Sequence, residues 1–126
     1  MISTLTLVAL GGAIGASLRY LCSVAMLRLT GPGEFPLAIL SVNILGSLLM
    51  GVFVIVTAQR GLAPLGPFVM TGLLGGFTTF SAFSLETVTL IERGQFASAG
   101  LYVALSVVLS VAGLFIGLWL ARGIFL

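Results

Sequence analysis

Residues 75–84 read Gly-Gly-Phe-Thr-Thr-Phe-Ser-Ala-Phe-Ser, a double glycine followed by four hydroxyls interleaved with phenyl rings. The stretch lies inside a segment otherwise apolar enough for lipid. Non-helical backbone at membrane depth is tolerated only where protein buries it or where it lines a watery cavity, so this segment is expected to handle something polar. Phe80, Phe83 and Ser84 share one face by the i, i+3, i+4 rule, while Thr79 and Ser81 add hydroxyls beside them. Two other segments carry matching tracks. Asn43, whose amide offers two donors and an acceptor, shares a face with Gly46, Ser47 and Met50. Tyr102, Ser106 and Ser110 recur at i, i+4 and i+8 and form one stripe of hydroxyls. For any single serine, a bond to its own i−4 carbonyl or to a neighbouring helix is explanation enough. A track on each of three segments weakens that alternative.

What the tracks lack is equally informative. No Asp, Glu or His lies near the middle of an apolar run, and Glu86 comes closest. Proton-coupled carriers depend on an intramembrane ionisable group. Amide N–H, hydroxyl O–H and the positive rim of a phenyl ring instead suit an anion. A narrow passage lined by such donors can favour a small halide, although these residues alone do not choose among halides.

The elements that must position these groups follow from composition and punctuation. The chain has 126 residues, 60% of them hydrophobic and 6% charged, with 17 glycines, no histidine and a mean hydropathy of +1.31. Each membrane-spanning helix needs about 20 apolar residues, so four spans fit in one transmembrane domain. Charges and breakers place them at about 4–28, 36–58, 64–91 and 96–121. Pro36 is expected in the first turn of the second helix, where its missing N–H costs nothing. The N-terminal run lacks the basic flank of a signal peptide and exceeds its usual apolar length, so it reads as a retained helix. Small residues four apart, as in Gly11/Gly15, Gly12/Ala16, Ser47/Gly51 and Gly113/Gly117, predict close helix contacts. Cys22 has no second cysteine to pair with and reads as a small buried hydrophobe.

Orientation is under-determined. Arg60 and Arg122 fall on one side of a four-span protein, and Arg28 and Arg93 on the other. Because arginine excess in short loops sets topology, this balance leaves two readings: insertion in both directions with oppositely oriented copies pairing, or one orientation fixed by other features. Arg19 reads either as a structural or vestibule charge or as an anchor that reaches the headgroups.

The run Gly75–Ser84 resembles the G-G-x-T-T-F-S-x-F-S signature of the Fluc (CrcB-type) fluoride channels at every fixed position. Three further motifs occur in order along the whole chain. Residues Gly11 to Tyr20 resemble G-G-x-x-G-A-x-x-R-Y, Val42 to Gly46 resemble V-N-x-x-G, and Phe83 to Thr87 resemble F-S-x-E-T. The resemblance implies an all-α membrane protein with a break in the third of its four transmembrane helices. It also implies an antiparallel, dual-topology homodimer with two fluoride pores at the dimer interface. On that basis Phe80 and Phe83 would face fluoride with their ring edges, Asn43 would line the pore, and Tyr102, Ser106 and Ser110 would form its polar track. Thr79, Ser81 and Ser84 would also belong to the fluoride pore. The backbone carbonyls of Gly75 and Thr78 would bind one central sodium ion. Many family members carry threonine where this chain has Ile39, which is therefore left out of the pore.

Passive fluoride export from a bacterial or archaeal plasma membrane is the implied function. Hydrogen fluoride enters as a neutral acid, dissociates inside, and the anion leaves down the membrane potential. No nucleic-acid partner and no enzymatic activity are expected, since no phosphate-binding loop, catalytic triad or metal-ligand cluster is present in the sequence. A small multidrug transporter would also have four spans, but its exchange chemistry needs a carboxylate in the first helix, and this chain has none there. A membrane scaffold would account for the glycines and not for the phenyl pair.

Overall fold

Glycines and prolines, more than charges, decide where the helices of this chain begin, end and touch. The computed structural model describes residues 1–125. Two long helices come first, α1 (Ile2–Thr30) and α2 (Leu37–Gln59). The third span is composite: a 3₁₀ turn at Ala63–Leu65, a π-helical stretch at Pro67–Leu74, a single turn α3 (Gly75–Phe77), and, after a break, α4 (Phe80–Glu92). The chain closes with α5 (Phe96–Phe125). Four of these stretches are long and apolar enough to cross a membrane, giving an all-α, multi-pass membrane protein whose third span is bent.

The helices extend past the charges expected to end them. Arg28 and Arg122 lie within the last turns of α1 and α5, where a cation is favoured by the helix dipole. The stop after α1 is Gly31, at φ 76°, whose amide bonds the Leu27 carbonyl at 2.9 Å; glycine tolerates that left-handed backbone at no steric cost. Pro36 precedes α2 as its cap instead of occupying its first turn, and its carbonyl accepts the Leu40 amide at 3.2 Å. At the start of the third span, Pro64 and Pro67 each remove a backbone donor. The ladder there is accordingly tight and then wide in place of a regular α-helix.

Two helix pairs form the framework. α1 lies along the first half of the third span, and α2 lies along α5. Glycine makes both approaches possible. A methyl at Gly72 would stand 2.8 Å from the Val8 carbonyl oxygen, and one at Gly76 2.8 Å from that of Gly12. A methyl at Gly15 would overlap the Leu73 carbonyl, and one at Gly117 that of Leu48. The expected four-residue spacing therefore works at Gly11/Gly15 and Gly113/Gly117. Ser47 departs from it and faces a groove described below. Arg19 fastens the first pair, its Nε donating to the Gly76 carbonyl at 3.2 Å.

The break then redirects the third span. α3 still contacts α1, whereas α4 leaves it and packs on α5. Phe83 and Leu90 of α4 join Leu40 of α2 and Ala99 and Tyr102 of α5 in one buried cluster, flanked by Phe35 and Ile39. The two loops on that side are clasped by a bond from Gln95 Nε2 to Glu34 Oε2.

Close glycine contact makes a specific stability prediction. Gly15→Val should lower the unfolding midpoint in detergent by the equivalent of roughly 1–3 kcal/mol, the usual cost of overpacking. Gly12→Ala, whose methyl would meet open space, should leave the midpoint unchanged in the same assay.

Candidate functional site

Helical hydrogen bonding stops at Thr78, whose amide is the last to follow the ladder, bonding the Leu74 carbonyl at 3.0 Å. Thr78 and Thr79 are both extended, at φ −85°, ψ 159° and φ −152°, ψ 124°. The double glycine itself is helical, with Gly75 at φ −63°, ψ −37°; its role is close packing on α1, and the threonines carry the break. β-branched side chains suit extended backbone, and each threonine also uses its hydroxyl locally. Thr78 Oγ1 donates to the Leu74 carbonyl at 3.0 Å. Thr79 Oγ1 caps α4 by accepting from the Ala82 amide at 3.1 Å, and it lies 3.3 Å from Ser81 Oγ.

Asn43 completes the break from the opposite helix. Its Oδ1 accepts the Thr79 amide at 2.8 Å, and its Nδ2 donates to the Thr79 carbonyl at 3.1 Å. One side-chain amide thus replaces both backbone partners that Thr79 forfeits by leaving the helix, and one amide N–H remains for another acceptor. The carbonyls of Gly75 to Thr78 lose their helical donors in the same event, and that of Gly76 is met by Arg19 Nε. The amide that would bond Gly75 is turned to Asn43, and the amide that would bond Thr78 is turned to Thr79 Oγ1.

Beside the break runs an open groove of about 440 Å³ between α2, α4 and α5. Asn43, Thr79, Phe80, Phe83, Ser106 and Ser110 all line it. The Phe80 and Phe83 rings lie 5.4 Å apart, inclined at 47°. Phe83 is buried, while Phe80 is 78% exposed. Tyr102, fully buried, stands behind Phe83 at 5.3 Å between ring centroids and meets Phe35 edge-on at 5.8 Å. Ser81 and Ser84 do not line the groove: both are exposed, and Ser84 Oγ donates to the Phe80 carbonyl at 3.0 Å. Ile39 packs on the core cluster. Ser47 and the Thr78 side chain line the groove as well; the signal for Ser47 was its spacing, one turn beyond Asn43.

Two groups of hydroxyls stand apart. Nine Ser and Thr side chains, Thr6, Ser17, Ser23, Thr30, Thr57, Thr78, Ser84, Thr87 and Thr89, bond their own i−4 carbonyls. The hydroxyls of Tyr102, Ser106 and Ser110 are buried and have no partner among the described residues. Buried polar atoms are nearly always paired, so this stripe is arranged for a partner that the chain itself does not supply. No cluster of three or more His, Cys, Asp and Glu able to hold a metal is found among the described residues.

Residues 6–118 match the family described as CrcB-like protein, Camphor Resistance (CrcB). The chain belongs to the CrcB family. The match spans the break, the groove and all of α2. Relatives include the fluoride-specific ion channel FluC of Roseobacter denitrificans, 68% identical over 98% of both chains. The protein of the same name from Ruegeria sp. is 61% identical over 98% of both. That of Jannaschia sp. is 70% identical over 79% of this chain and 99% of its own. CrcB relatives are thus named as ion channels and not as enzymes.

Asn43 is expected to be a structural requirement of this CrcB chain. Asn43→Leu orphans the Thr79 amide and carbonyl, at about 1–3 kcal/mol for each buried unpaired group. Hydrogen exchange measured by mass spectrometry should then accelerate across residues 78–82 while α1 retains its protection.

Proposed function

We propose that the chain is a fluoride channel that exports the ion passively through a pore built on the groove beside the break. The observation that carries this reading is the stripe of buried, unpartnered hydroxyls on α5, facing the Phe80–Phe83 pair and Asn43. The polar side chains lining the groove are neutral donors set beside phenyl rings, which suits a small, strongly hydrated anion that must exchange water for protein donors. The relatives' shared name, fluoride-specific ion channel, supplies the choice of halide that donor chemistry alone does not make.

One chain gives half of such a pore. The groove is open along one side, and a phenyl 78% exposed beside it would leave extended backbone and hydroxyls facing hydrocarbon, which a membrane protein does not tolerate. A second copy closes it. The balanced arginines favour an antiparallel, dual-topology homodimer, with two pores at its interface. Such a dimer would bring the Gly75 and Thr78 carbonyls of both copies together at its two-fold axis. Those oxygens lack their helical donors and suit a hard cation, so a single sodium ion held there would neutralise them and tie the copies together. Phe80, Phe83, Asn43, Ser106 and Ser110 would contact fluoride, with Thr79 beside them. Tyr102 would continue the track behind Phe83, and Ser81 and Ser84 would flank the outer side of α4. The relatives' organisms are bacteria, and a bacterial plasma membrane, inside-negative, would drive the anion outward.

Purified protein in liposomes should release fluoride, read with an electrode, when valinomycin clamps a potassium gradient. Chloride should leave far more slowly, with no proton requirement. Phe83→Ile and Ser106→Ala should each cut fluoride efflux by about tenfold or more, the scale of roughly 1.4 kcal/mol, while the dimer still elutes intact. Equal chloride efflux would reject the selective channel.

The central ion and the two orientations have their own test. Replacing sodium with N-methylglucamine throughout purification should lower both the dimer fraction and the efflux. In a Cys22→Ala background, a cysteine placed at Leu62 should label from either face of the cell membrane. Labelling from one face only would remove dual topology.

A further inference from the structure

The framework contacts of α2 and α5 fix a register that extends the hydroxyl track beyond the residues already assigned. A methyl at Gly113 would stand 3.3 Å from the Ile44 carbonyl, and one at Gly117 would overlap that of Leu48. The two helices therefore run parallel, and because a methyl at Gly51 would stand 3.2 Å from the Gly117 Cα, residue 51 is level with residue 117. At about 1.5 Å per residue, Ser110 lies within about 2 Å of the level of Asn43, and Ser106 about 5 Å from it toward the N-terminal ends of both helices. Ser47 lies about 6 Å from Asn43 on the other side. Tyr102, Ser106, Ser110, Asn43 and Ser47 then form one ladder along the membrane normal, and Ser47 is its last rung toward the Gln59 end of α2.

Ser47 shares the chemistry of that ladder as well as its position. It lines the same groove as Asn43, Ser106 and Ser110. Unlike the nine hydroxyls that bond their i−4 carbonyls, its Oγ makes no hydrogen bond among the described residues, so its proton is free for a ligand. Its small size is not needed for helix contact, because the close approach on that face belongs to Gly51, whose added methyl would overlap the Leu114 carbonyl. We infer that Ser47 is an ion-contacting residue, donating its hydroxyl to the permeating halide at the mouth of the track on the Gln59 side. The inference rests on the reading of the groove as a fluoride pore.

Alanine separates the two roles, since it preserves a small side chain and removes only the donor. Fluoride efflux from liposomes is compared for the native chain, Ser47→Ala, Ser47→Thr, Ser106→Ala and Ser41→Ala. Ser41 is an α2 hydroxyl that does not line the groove. Ser47→Ala should lower efflux about three- to tenfold, the effect of one modest hydrogen bond, and should raise the fluoride concentration giving half-maximal flux. Ser47→Thr should restore most of the rate, Ser41→Ala should change nothing, and the dimer fraction should be the same throughout. If the native chain conducts and Ser106→Ala slows it while Ser47→Ala does not, the Ser47 assignment is overturned and the channel reading stands. If the native chain releases no fluoride, both fall.

Discussion

A membrane offers no water to a backbone that leaves its helix, and this fold is organised around meeting that constraint at one point. Thr79 gives up two helical hydrogen bonds, and the Asn43 side chain replaces both. Unpaired groups in hydrocarbon cost several kcal/mol each, so without this amide the third span would relax toward a continuous helix. A continuous helix would keep α4 on the axis of α3 and away from α5. The Phe80–Phe83 pair would then not meet the hydroxyl stripe. The position of the aromatic pair is therefore a consequence of a hydrogen bond made from a different helix.

The glycines provide the rigid reference against which that redirection has meaning. Up to Gly76 the third span is clamped to α1 at backbone contact, and the Arg19 guanidinium holds the Gly76 carbonyl. A cation there also faces the C-terminal end of a helical segment, where the dipole favours positive charge. From Phe80 onward the partner is α5, itself clamped to α2 by Gly51, Gly113 and Gly117. Two stiff pairs joined across two extended residues leave little freedom for the groove to change width. That stiffness suits a site where donor placement decides which ion is accommodated.

Four spans, their order and the existence of a break were legible in the sequence because hydrophobic length, prolines and glycines report on them directly. The break's location was less so. Gly75-Gly76 reads as a helix-weakening pair, yet both are helical, because in lipid a glycine more often serves close approach than unwinding; the extended residues are threonines, whose β-branching favours that backbone. Helix ends read from charges fell short at Arg28 and Arg122, where dipole and interface accommodate a cation inside the last turn. Asn43 was legible as a pore candidate from its polarity within an apolar run. Its bond to Thr79 was not, since it depends on the lateral placement of two helices that no local pattern encodes. The unpaired state of Tyr102, Ser106 and Ser110 was likewise invisible: their spacing is the same whether or not each hydroxyl bonds its own helix.

The choice of neutral donors has a consequence for conduction in the proposed pore. A conducting site must bind well enough to remove water and weakly enough to release the ion to the next position. A formal charge in the low-dielectric groove would interact with a halide by many times the energy of one hydroxyl and would trap it. Arg19 is instead held by the Gly76 carbonyl on the α1 side, and the groove itself is lined by amide, hydroxyl, phenyl and aliphatic groups with no charged side chain. Rungs one helical turn apart divide dehydration into several small steps, each exchanging a water for a hydroxyl of similar hydrogen-bond strength. A ladder of that kind requires hydroxyls that are not spent on their own helix, and that is the property distinguishing the α5 stripe from the other serines and threonines that bond backward.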